Sequence, residues 1–344
     1  MKTIRLGRTG IEAVQNGFGA LPVQRVSVED AVKILRRAYD GGMRFFDTAR
    51  AYSDSEIKLG EAFGTGYVSR DAIIIATKTA AKTPEDFRRD LDTSLTNLKT
   101  DHIDIYQFHL MNTCYRPGDG SGMYECMLQA REQGLIRHIG GTAHKIGVAK
   151  ELAESGLYET VQYPISYLAD AQEIELIRLC QKNDVGVICM KGLAGGLITD
   201  SRAAMAFIGQ FDGVMPIWGI QRMSELEEWL SYMTDTPEMN EEIRAFIDSE
   251  RQELSGEFCR GCGYCMPCTV GIRINQCNRM SLMLRRAPSA GWLSDEWQTE
   301  MARIDACISC GACLPKCPYE LDIPALLKRN LADYREVLAG NRSV

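Results

Sequence analysis

Between residues 14 and 219 the chain repeats one pattern eight times: a short apolar run, then a stretch of helical periodicity. The runs are VQNGFGA, MRFFDTA, AIIIATK, IDIYQFHL, IRHIGGTA, TVQYPIS, GVICMKG and GVMPIWG. Near-continuous apolar runs suit strands covered on both faces, and helical connections between them require parallel pairing. In SVEDAVKILRRAYDGG the spacing predicts a helix capped by Ser27, with Val28, Ala31, Val32, Leu35 and Tyr39 on one face. Gly41 and Gly42 end it. Eight such units predict a (β/α)8 TIM barrel rather than an open doubly wound sheet. The opening IRLGRTGIEAV predicts a hairpin around Arg8–Gly10 that plugs the barrel's N-terminal end. GFGAL is too short for a GxGxxG fingerprint and feeds no obvious helix, which argues against a Rossmann domain.

Composition narrows the function. A formal charge of −7 argues against a protein that grips nucleic acid through phosphates, which needs a basic face. No apolar run approaches the ~18 residues that span a bilayer, and MKTIRLGRTG has no signal-peptide core, so a cytoplasmic location is expected. Thirteen cysteines in a reducing compartment point to metal or redox chemistry rather than disulfides. Cys114, Cys126, Cys180 and Cys189 are scattered and read as small buried hydrophobes; the other nine fall between 259 and 317. That shift divides the chain into a barrel over 1–236, a polar helical connector over 237–257, and a cysteine-rich domain over 258–344.

In a barrel of this kind chemistry sits where strands end. The second run ends in FFDTARAYSDSE, placing Asp47 at its tip and Tyr52 five residues on. The third ends at Lys78 and the fourth at His109. A phenol donates its proton poorly at neutral pH, and a nearby ammonium, held by a carboxylate, eases the transfer by stabilising phenolate. An imidazole N–H orients a carbonyl oxygen. Such a set serves a carbonyl that takes hydride at carbon and a proton at oxygen.

LGRTG, FFDTARAYSDSEIKLGEAF, ATKT, DHIDIYQFH, VQYP and GLAGG resemble the aldo–keto reductase family over roughly residues 1–235. The resemblance implies Tyr52 as general acid/base, Lys78 and Asp47 as its tuning pair, His109 as the orienting group, and NADH or NADPH as hydride donor. It also implies that Gln162 meets the nicotinamide carboxamide. Thr142 and His144 stand where the family more often has a Ser–Asn pair, and Met190 where many members stack an aromatic. Gly219 and Glu225 take the places of the lysine and arginine that hold the 2′-phosphate in NADPH-preferring members. A glutamate there repels phosphate, and Arg222 is the nearby cation. These departures leave NADH, or no nucleotide at all, as readings beside NADPH.

Cys307-x2-Cys310-x2-Cys313-x3-Cys317-Pro318 is the bacterial ferredoxin spacing for [4Fe–4S] ligation. Its partner motif, Cys259, Cys262, Cys265 and Cys268, is one residue shorter and carries Thr269 where proline is usual. Crossed ligation assigns Cys259, Cys262, Cys265 and Cys317 to one cluster, and Cys307, Cys310, Cys313 and Cys268 to the other. Two zinc ions are the alternative. Cys277 is either a substitute ligand for Cys268 or a buried structural thiol. The segments NRMSLMLRRAP, SDEWQTEMARIDA and PALLKRNLADYREVL read as helices, so this part resembles the helical type of dicluster ferredoxin. Exposed clusters imply oxygen sensitivity and an anaerobic host.

Three functions are consistent with the sequence. The first is an NAD(P)H-dependent oxidoreductase acting on a small-molecule carbonyl or alcohol, with two [4Fe–4S] clusters alongside. The second is a reductase fed by the clusters without nicotinamide. The third is an electron-transfer subunit with a protein partner. Neither nucleic acid nor a membrane is expected as a partner.

Overall fold

The computed structural model describes residues 1–254, 258–286 and 289–343. The chain forms two compact units, residues 1–192 with 202–244, and residues 193–201 with 245–344. The first opens with an antiparallel hairpin of β1 (Thr3–Arg5) and β2 (Glu12–Val14). Eight parallel strands follow: β3 (Gly17–Gly19), β4 (Phe45–Asp47), β5 (Ile74–Thr79), β6 (Ile103–Phe108), β7 (Ile136–Thr142), β8 (Thr160–Pro164), β9 (Gly186–Met190) and β10 (Val214–Gly219). Pairing of β10 with β3 closes the barrel. A helix follows every strand, in order α1 (Val28–Asp40), α2 (Ser55–Phe63), α3 (Pro84–Leu98), α4 (Met123–Glu132), α5 (Ile146–Glu154), α6 (Ala171–Lys182), α7 (Ser201–Gly209) and α8 (Met223–Ser231).

The predicted (β/α)8 barrel is therefore present, and so is its plug. Ile4, Leu6 and Ala13 of the hairpin region share one apolar cluster with Phe45, Ala76, Ile105, Ile188, Met215 and Ile217 from the strands. Gly17 lies where a side chain would come within 2.7 Å of the Pro216 carbonyl oxygen, so GFGAL is a strand of close backbone approach. Helix α1 begins as expected, Ser27 accepting from the Asp30 N–H, and ends at Gly41, with Gly42 at φ +103. Its buried face differs: Ala31, Ile34, Leu35 and Ala38 are buried, while Val28 is 45% exposed. The buried stripe thus starts at Ala31, about one turn later than the sequence suggests.

The second unit holds most of α9 (Glu241–Glu253), then α10 (Ile274–Cys277), α11 (Met280–Arg286), α12 (Asp295–Ala302) and α13 (Ile323–Leu338). Ile272, Cys277, Met280, Met301, Leu327 and Tyr334 are in its core. Buried Asn330 ties α13 to the start of α11, donating to the Asn278 carbonyl at 3.2 Å and accepting from the Ser281 N–H at 2.9 Å. Arg285 grips Asp333 and Arg286 grips Glu250, each through two hydrogen bonds. Residues 255–257 of the expected connector, Ala287 and Pro288 of the expected insert helix, and Val344 lie outside the described residues. Among the described residues no helix is long and apolar enough to cross a membrane.

Candidate active site and cysteine turns

Strand side chains alternate between faces, so the residue two positions on stands one rung higher on the same face. Counting two from the lumen residues Phe45, Ala76, Ile105 and Ile188 reaches Asp47, Lys78, Gln107 and Met190. The apolar plug thus supports a polar rung above it. Asp47 and Lys78 are fully buried and paired, with Lys78 Nζ 2.7 and 2.6 Å from the two carboxylate oxygens. The ammonium also donates to the Thr48 carbonyl at 2.5 Å. Burial pushes the Asp47 carboxyl up against the pull of Lys78, and pulls the Lys78 ammonium down against the pull of Asp47. Gln107 adds a long contact to Asp47 at 3.5 Å. Gln107 and Thr48 were not singled out from sequence; the available signal for Gln107 was its place two before His109, on the strand that leads to it.

Lys78 Nζ lies 5.3 Å from the centre of the Tyr52 ring, and the Tyr52 and His109 rings meet edge to face at 5.7 Å. The structure therefore brings Asp47, Tyr52, Lys78 and His109 together. Tyr52 rides on a short loop clamped at its ends. Thr48 donates its hydroxyl to Ser55, Ser55 donates to the Ala20 carbonyl, and Arg50 pairs with buried Glu56. His109 is held by its N–H on the Thr79 carbonyl at 2.8 Å. Burial, with Lys78 and Lys82 nearby, pulls its pKa down to about 3, so the ring is neutral at physiological pH.

The positions expected to meet nucleotide are mixed. Gln162 is 1% exposed and its Oε1 is buried with no hydrogen-bond partner, which fits an acceptor awaiting a carboxamide N–H. Met190 is half-buried at the end of β9. His144 is buried, and Thr142 accepts the Leu110 N–H at 2.7 Å, fixing the turn after His109. Gly219 is exposed at the end of β10, and Arg222, with its side chain 72% exposed, lies 3.8 Å from Glu225. The Glu225 carboxylate accepts the Gln221 and Arg222 N–H groups at 2.9 and 3.0 Å. It already fills the amides at the start of α8.

Both cysteine turns share one backbone form. Gly261 and Gly263 in the first, and Ser309 and Gly311 in the second, have φ of +64, +82, +51 and +73. Such turns curl amides toward the sulfur they enclose; the Gly261 N–H lies 3.4 Å from Cys259 Sγ. Cys265 sits among Cys259, Cys262 and Cys317, and Cys313 among Cys307, Cys310 and Cys268. These neighbours are the ones that crossed ligation would use. Burial and neighbouring thiols push Cys265 up to about 12, a pocket that disfavours bare thiolates and suits them once metal offsets their charge. A cavity in the second set is walled by Cys268, Cys307, Cys310, Cys313, Ile308 and Leu327 among others. Thr269 Oγ1 lies 3.5 Å from Cys310 Sγ, a contact the sequence did not suggest. Cys277 is fully buried and pushed up to about 12 by burial, with Glu300 and Arg273 as its charged neighbours. Among the described residues no three His, Cys, Asp or Glu side chains close on a point where one metal ion would sit.

Comparison with known proteins agrees with these two parts. Residues 13–214 match the model of the aldo/keto reductase family, and residues 258–322 match that of a 4Fe-4S dicluster domain. L-galactose dehydrogenase of Arabidopsis thaliana is 30% identical over 211 residues, 57% of this chain and 66% of that protein, just under two thirds of its length. The NADH-specific methylglyoxal reductase of Escherichia coli is 25% identical over 228 residues, 58% of this chain and 69% of that protein. An aldo-keto reductase from Klebsiella pneumoniae, solved in complex with NADPH, shares the fold with a TM-score of 0.62 at 21% identity, covering 72% of this chain and 94% of that one. With the family's model matched from the plug to β10, this chain belongs to the aldo/keto reductase family of oxidoreductases and carries a 4Fe-4S dicluster domain after the barrel.

Proposed function

We propose that the barrel interconverts a small-molecule carbonyl and its alcohol, with Tyr52 giving and taking the proton. The observation that carries this reading is the buried Lys78–Asp47 pair set 5.3 Å from the Tyr52 ring. As the substrate oxygen takes the Tyr52 proton, the ammonium stabilises the phenolate left behind, and Asp47 keeps that ammonium in place. Neutral His109 donates a ring N–H to the substrate oxygen and so selects the face that reacts. A bound nicotinamide supplies the hydride. Gln162 Oε1 would accept its carboxamide N–H, with Met190 as an apolar, polarizable contact. NADH is the favoured form, because Glu225 sets a carboxylate where a 2′-phosphate would need a cation. The likeness to a relative named NADH-specific supports the same preference.

In the cysteine-rich domain, read as 258–344 beyond a barrel of 1–236 and a connector of 237–257, two [4Fe–4S] cubes would supply one-electron chemistry. Cys259, Cys262, Cys265 and Cys317 would hold one; Cys268, Cys307, Cys310 and Cys313 would hold the other. The ferredoxin spacing of the second motif and the match of residues 258–322 to a 4Fe-4S dicluster domain support cubes over zinc.

Tyr52→Phe is the test. Turnover is expected to fall about 1,000-fold while iron content stays as in the wild type; activity within twofold of wild type sinks the reading. The exposure of Cys310 favours a second one, in which a protein electron carrier feeds the cubes and the barrel substrate is reduced without nicotinamide. An anaerobic titration with NADH and NADPH separates the two. Failure of both to bind iron-loaded protein selects the second.

A further inference from the structure

Arg279 precedes α11 and is only 8% exposed. Its Nη2 donates to the Gly195 carbonyl at 2.7 Å and to Met283 Sδ at 3.2 Å, both uncharged, and its Nε has no partner. Nearby Arg285 and Arg286 each grip a carboxylate; among the described residues Arg279 has none. A guanidinium stays charged in a protein, and burying one without a counter-ion is costly. Among the described residues, the group that interacts electrostatically with Arg279 is Cys259, whose sulfur is anionic once a metal takes it as thiolate. A Cβ at Gly261 would come within 2.2 Å of Arg279 Nη1, so the guanidinium packs on the turn whose amide points at the Cys259 sulfur.

We infer that Arg279 is the buried counter-cation of the set formed by Cys259, Cys262, Cys265 and Cys317, and that it makes this set the more readily reduced of the two. The inference rests on the reading of both sets as cube ligands. A cube with four thiolates is anionic and gains one further negative charge on reduction, so a fixed cation beside it favours the reduced form. The other set is open to solvent: Cys310 is exposed, and Ile308 and Leu314 beside it are 69% and 41% exposed. A cube held by this outer set would be the one that a reduced one-electron carrier in solution could reach. Were both sets loaded, that electron would move on to the cube held by the Arg279 set, one cube losing what the other gains, with no proton moved and no bond made.

The experiment is a dithionite titration of the full chain, reconstituted anaerobically and followed by electron paramagnetic resonance, with iron quantified beforehand. Wild type is expected to hold about eight irons per chain and to reduce in two steps. Arg279→Gln should move the higher-potential step down and leave the lower one in place; Arg279→Lys should retain most of the wild-type position. If Arg279→Gln loses the iron of one set while Arg279→Lys keeps it, the need for charge is upheld. Unchanged steps in an iron-replete Arg279→Gln protein overturn the inference, as does a shift in Arg279→Lys as large as that in Arg279→Gln. Wild-type protein that takes up no iron overturns the cube reading itself, before any variant is made.

Discussion

The barrel rim and the cysteine turns reach function by opposite routes. At the rim, Asp47, Lys78 and His109 leave three different strands in regular backbone, and only closure of the barrel brings them into one buried group. In the turns, four cysteines lie within ten residues in one motif and eleven in the other, and the backbone itself departs from the ordinary, with left-handed residues at matching places. A rim of that kind depends on burial and mutual charge. A turn depends on local conformation, and its cysteines are largely positioned before anything else packs.

If that contrast is right, breaking charge at the rim should cost far more than adjusting a turn. Asp47→Asn leaves a buried ammonium without its carboxylate and should destabilise the protein by about 3–5 kcal/mol in chemical denaturation. A loss below about 1 kcal/mol would mean that the pair is wetter than its burial implies. The rim should also leave a mark on acid stability. His109 has its pKa pulled to about 3 in the folded protein, against about 6.5 when unfolded. Between those values the unfolded chain binds the extra proton, so the His109 contribution is complete above about pH 6.5 and is lost as pH falls toward about 3. His109→Gln should therefore flatten part of the pH dependence of stability across that window. Equal slopes for variant and wild type would show that His109 is as solvated as in the unfolded chain. The turns should respond least. Ser309 holds φ +51 without being glycine, and Ser309→Gly should stabilise by about 1 kcal/mol or less, with iron content unchanged. Destabilisation would show that the hydroxyl, not the backbone, matters at this place.

Much of this was legible in order alone. The eight alternations predict the barrel, the opening IRLGRTGIEAV its plug, and the ends of the second, third and fourth runs the four rim residues. Spacing of the cysteines predicts which would gather. What stayed hidden depends on packing. Gln107 and Thr48 matter because Lys78 and Asp47 lie against them, and nothing in YQFH or DTAR announces that. Thr269 looked like a missing proline, yet its hydroxyl reaches Cys310, a residue 41 positions away. Glu225 reads as a charge that repels phosphate; that its carboxylate also closes on the amides of its own helix start is not announced in the sequence.

Sequence alone determined the alternation of strand and helix, the residues at the strand tips and the two thiol motifs, because each depends on neighbours a few positions apart. The tertiary structure decided which charges are buried and which have partners: that Lys78 and Asp47 share a dry pair, that Gln162 keeps an open acceptor, and that Arg279 is buried near Cys259 with no carboxylate partner among the described residues. The physical reason is that desolvation and pairing belong to the whole packed environment of a group, which distant segments supply, and not to its place in the chain.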